Sequence, residues 1–91
     1  MELFKTIEVW RKVGNIRAVR YRCFQSVKSG KYSVQSADFY SHGGESPERE
    51  HALNRQLVEL FVEQSPEERS GGYDTLEAAI EAHEAEFGTP E

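Results

Sequence analysis

The sequence predicts an α+β domain of order β-β-β-α-α, a three-stranded antiparallel meander sheet followed by two α-helices packed on one of its faces. Three observations lead there. Residues 3–40 are dense in Val, Ile, Tyr, Phe, Trp and Thr and are broken by two short turn signals, Gly14-Asn15 and Ser29-Gly30. Beyond Ser41 the apolar residues recur instead at helical spacing. The 91 residues, 37% hydrophobic and 30% charged, suffice for one core with a well-solvated surface, so a single small domain over 1–91 is expected.

The strands are expected at about 3–13, 16–27 and 31–40. Gly14 ahead of Asn15 suits the first central position of a type II′ turn, and Gly30 supplies the positive φ of a tight hairpin. Two-residue loops would set Val13 opposite Ile16 and Lys28 opposite Lys31. With that register, alternation gathers Phe4, Trp10, Val19, Tyr21, Cys23, Val27, Tyr32, Val34 and Tyr40 on the expected core face. The opposite face collects Lys5, Ile7, Val9, Arg11, Arg20, Arg22, Phe24, Ala37 and Phe39. Asp38 then falls opposite Tyr21 on the inner face near Glu8, a polar intrusion that marks either an open core edge or a different register.

After the breaker-rich loop Ser41-His42-Gly43-Gly44-Glu45, Ser46-Pro47-Glu48 reads as N-cap, N1 proline and first-turn acid of a helix over about 47–64. Leu53, Leu57, Leu60 and Phe61 form its apolar stripe, and Pro66 lies beyond its end. Glu67 to Gly72 reads as a polar connector. A second helix follows over about 75–87, capped by Asp74 or Thr75, with Leu76, Ala79, Ile80, His83 and Phe87 on its inner side. Gly88 and Pro90 stop it.

The first residues carry no basic region leading into a long apolar stretch, and no segment approaches the roughly 18 apolar residues of a membrane span. The expectation is a cytoplasmic protein with no membrane partner. Cys23 is the lone cysteine and reads as a small buried hydrophobe. Glu48 and His51 stand at the i, i+3 spacing of half a di-metal carboxylate site, but Ile80 occupies the place before His83 where a second glutamate is needed. His83-Glu84-Ala85-Glu86 is followed by no second histidine within a turn, and His42 has no patterned neighbour. No phosphate loop, nucleophile elbow or dinucleotide fingerprint is present. No catalytic residue, metal or cofactor is therefore expected, and Glu48, His51 and His83 are the only candidates for enzymatic work.

The charge pattern carries more. Residues 1–31 hold eight Lys or Arg against two acids, whereas residues 32–91 hold three Arg against fourteen acids. The chain is bipolar, with basic strands and acidic helices. Lys5, Arg11, Arg20, Arg22, Phe24 and Phe39 form the candidate binding surface on the outward sheet face. Arginine forks pair with carboxylates or phosphates, and exposed aromatics seal an interface or stack on bases. The preferred reading is a small interaction or accessory module that holds an acidic protein surface or, as a homodimer, a second copy of itself. The alternative is single-stranded nucleic acid, chiefly RNA, on the same face. The sequence pI near 5.2 opposes it, and Arg20-Tyr21-Arg22-Cys23-Phe24 matches the aromatic-glycine stacking motif only loosely. A third account is that these cations only keep an otherwise sticky sheet soluble. Both binding readings require the arginines of the middle strand to point away from the helices.

Overall fold

A computed structural model describes residues 2–41 and 46–88 of the chain. The elements are β1 (Phe4–Val13), β2 (Arg17–Ser26), β3 (Tyr32–Ser41), α1 (Pro47–Glu63), α2 (Pro66–Ser70) and α3 (Leu76–Phe87). The strands form one antiparallel sheet in the order β1-β2-β3, followed by the helices, as the sequence predicts. The loop with His42 and the stop signal at Pro90 lie outside the described residues.

The register differs from expectation at both junctions. Val13 pairs with Arg17, so the first loop has three residues rather than two, with Gly14 at φ 68°. One extra loop residue turns every β1 side chain over relative to β2. At the second junction Gly30 (φ 76°) donates to the Ser26 carbonyl at 2.8 Å, and Tyr32 pairs with Gln25. Farther along, Arg22 pairs with Ser36 but Cys23 with Val34, which leaves Gln35 as the extra residue of a β-bulge. The bulge turns over the outer half of β3.

The result is a corrected pair of faces. Ile7, Val9, Arg11, Val19, Tyr21, Cys23, Val34, Ala37 and Phe39 share one face, and Phe4, Trp10, Arg20, Arg22, Phe24, Asp38 and Tyr40 share the other. Asp38 stands opposite Arg20, which removes the polar intrusion that the two-residue loops implied.

The helices do not share a face as expected. Phe61 of α1 stacks on Phe24 at 4.8 Å between ring centroids and meets Phe4 edge-on at 5.6 Å, so α1 covers the Arg20 face. His83 of α3 meets Tyr21 edge-on at 6.0 Å, so α3 covers the opposite face. The chain crosses between them around the β3 edge. There Tyr73 forms a two-bond bridge with Tyr32, at 2.8 and 2.9 Å, and Ser33 Oγ donates to the Gly71 carbonyl at 2.7 Å. The expected connector contains the short helix α2, begun by Ser65, whose Oγ accepts from the Glu68 amide. Ser46 and Thr75 cap α1 and α3 in the same way, accepting from the amides of Arg49 and Ala78. The main core, Val19, Tyr21, Cys23, Val34 and Ala79, lies under α3, with Leu76 and Ile80 packed against it. Among the described residues no helix is long and apolar enough to cross a membrane.

Candidate functional site

Arg20 is the centre of the polar sheet face and is only 3% exposed. Its guanidinium donates to both oxygens of Glu50 on α1, at 2.8 and 3.2 Å, and to Asp38 Oδ2 on β3 at 3.1 Å. The Glu50 contact is a bidentate fork, the strongest form of arginine–carboxylate pairing. The rings of Trp10 and Tyr40 lie 5.8 and 5.1 Å from the guanidinium carbon, and the Tyr40 hydroxyl donates to Glu50 Oε1 at 2.8 Å. Arg22 approaches the same carboxylate at 3.5 Å. Hydrogen bonds from Arg20 and then Tyr40 hold the Glu50 carboxyl down at about 2.

The six residues proposed from sequence are therefore not one surface. Arg20 and Arg22 are covered by α1 and paired with acids, and Phe24 is buried against Phe61. Lys5, Arg11 and Phe39 belong to the other face. Lys5 is exposed there, while Arg11 pairs with Glu84 of α3, which also accepts from the Tyr21 hydroxyl at 2.6 Å. Only Phe39, 56% exposed, stands open as an aromatic. The charge asymmetry is used inside the fold. Arg11–Glu84, Arg20–Glu50, Arg22–Glu50 and Lys31–Asp74 each join a cation of the first 31 residues to an acid of the helical half.

A different opening lies beside Phe39. Phe39, Ala37, Val19 and Tyr21 from the sheet and His83 and Phe87 from α3 line a cleft of about 230 Å³. Phe87 is 70% exposed and its ring lies 4.7 Å from that of His83. Burial pushes the Tyr21 hydroxyl up to about 12, with the Glu84 bond acting the same way, and pushes the Cys23 thiol up to about 12 as well. Neither group is a nucleophile or base near neutral pH. His83 is held below its ordinary 6.5 by burial, against the opposing pull of Glu86 and Glu84.

The enzymatic candidates do not converge, since Glu48 and His51 are exposed on α1 and His83 lies under α3 across the sheet. Among the described residues no group of three or more His, Cys, Asp or Glu is placed to hold a metal ion. Sequence reasoning missed Glu50, Tyr40 and Trp10 as partners of Arg20. The signal within reach was Asp38, whose stranding on an apolar face pointed to a misjudged register. No protein-family model matches the chain, and neither the curated proteins nor the solved structures contain a significant match to it.

Proposed function

We propose that the protein is a small interaction module that associates with a second copy of itself through the apolar cleft between β3 and α3. The observation that carries this reading is the pair Phe39 and Phe87, both well exposed, flanking a cleft floored by core residues. An aromatic pair beside a desolvated floor is the form that interface anchors take. An isologous pairing would place each Phe39–Phe87 patch against its own copy.

An acidic partner held by Arg20 and Arg22 is not proposed, because their forks are filled by Glu50 and Asp38. The single-stranded nucleic-acid reading rested on Phe24 stacking, and that ring is covered by Phe61. Light scattering of the intact chain across a concentration series tests the proposal. The wild type is expected to show twice the monomer mass and the Phe39→Ser, Phe87→Ser variant the monomer mass. A wild type that stays monomeric at every concentration overturns it.

A further inference from the structure

A second cleft, of about 340 Å³, opens under α3, and it shares only His83 and Phe87 with the first. Gln35 from the β3 bulge forms part of its wall, with Val34 beside it and Ala79 and Ala82 on the helix side. In an unbroken ladder Gln35 would alternate with Val34 and face α1. The extra residue re-aims it beneath α3, a use to which β-bulges near binding sites are often put.

Gln35 is 6% exposed, and both its amide nitrogen and its amide oxygen are buried without a hydrogen-bond partner. His83 Nδ1, on the same cleft, is likewise buried and unpartnered. An unmet buried polar atom costs about 1–3 kcal/mol, and three such atoms on two residues that line one opening mark a place where something else supplies the bonds. Arg69 and Glu86 both line the cleft, so no single sign of charge is favoured. Gln64 and Ser70 add neutral polar groups to the wall, Tyr73 and Phe87 add aromatic rings, and the volume suits a small ligand.

We propose that this niche binds a small neutral molecule presenting an adjacent hydrogen-bond donor and acceptor on one planar edge, the chemistry shared by lactams and nucleobases. Gln35 reads that edge with its amide oxygen and nitrogen, and His83 Nδ1 takes a third bond. The held-down basicity of His83 keeps its ring neutral and able to accept.

The test is an NMR titration of the full chain with 2-piperidone, uridine and adenosine as separate probes, following the Gln35 side-chain amide and the backbone amides of Ala79 and Ala82. At least one probe is expected to shift all three saturably. A response to 2-piperidone alone would assign lactams, and a response to a nucleoside alone would assign bases. Gln35→Leu removes the two unmet amide atoms, so it is expected to keep or raise the melting temperature while weakening binding at least about tenfold. Ala82→Leu, which fills the cleft without touching the amide, is expected to weaken it too, and carries the test should Gln35→Leu not fold. Probes that leave the Gln35 amide unmoved at saturating concentration overturn the proposal. So does undiminished binding in both variants, or a fall in melting temperature in Gln35→Leu, which would mean that internal water already satisfies the amide. None of these readouts depends on self-association.

Discussion

The two faces of the sheet are held by different physics. Under α3 the sheet presents Val19, Tyr21, Cys23 and Val34 to Ala79, Leu76 and Ile80, a packed apolar layer with one polar tie from Tyr21 and Arg11 to Glu84. Under α1 the layer is a buried arginine clamped by Glu50, Asp38 and two aromatic rings, with Glu8 at 3.8 Å, and farther along Phe24 stacks on Phe61 with Phe4 edge-on to both. No α1 residue is fully buried; Glu50 and Phe61 reach the sheet at its two ends, and Arg49 bonds the Phe39 carbonyl and lies over the Tyr40 ring. The contrast teaches that a basic strand in a small domain is not thereby a docking surface. A central-strand arginine, with a carboxylate opposite it and another on a covering helix, ties the layers together.

The largest expected effect breaks the α1 face. Arg20→Ala leaves Asp38 buried without its counter-charge, and is expected to cost about 3–5 kcal/mol in urea unfolding. Replacing Arg20 and Asp38 together by Met and Leu should return most of that loss, because the buried pair is removed whole while Glu50 keeps Arg22 and Tyr40. A double variant as weak as Arg20→Ala would show that the clamp does more than compensate its own burial.

On the α3 face Tyr21→Phe removes a hydroxyl bonded to a carboxylate but leaves the ring packed. A loss of about 1.5–3 kcal/mol is expected, smaller than for Arg20→Ala because Arg11 still pairs with Glu84.

The smallest and most selective effect is the response to pH. The Tyr21 hydroxyl is raised from 10 to about 12 and the Cys23 thiol from 9 to about 12, so their contributions are whole below pH 9 and are lost as pH climbs through that range. Glu50 is depressed from 4.5 to about 2, so its contribution is whole above 4.5 and is lost as pH falls toward 2. Alkali should therefore loosen chiefly the α3 face. Tyr40, also raised by burial and by its bond to Glu50, adds a part on the other side. Acid should loosen the α1 face, with His83 adding a loss under α3 as pH falls below 6.5. Urea midpoints measured from pH 3 to 10 check the acid arm and the onset of the alkaline one.

Much of this architecture was legible in the residues. The alternation of β-branched and aromatic residues marks three strands, and Ser46-Pro47-Glu48 and Thr75 mark two helix starts, because capping is local chemistry. Ser65-Pro66-Glu67 repeats the same signature and begins α2, although the stretch from Glu67 reads by composition as a polar connector. Facing was not. It turned on one loop residue, Ile16, and one bulge residue, Gln35, each of which inverts a strand's sides without altering its composition. The candidate surface failed with it, since which side of β2 is covered depends on where the helices go. The chain's passage around the β3 edge is set by the Tyr32–Tyr73 bridge, a contact between distant residues that no local pattern announces.

Arg11, Arg20 and Arg22 of the sheet are answered from within the molecule, above all at Arg20 and Glu50. A carbon-detected NMR titration of the Glu50 side-chain carboxyl in the folded chain tests it most directly. The clamp predicts a midpoint at about 2. A midpoint at the ordinary 4.5 would mean that Glu50 is not held by Arg20, and the sheet's basic face would again be open to a partner.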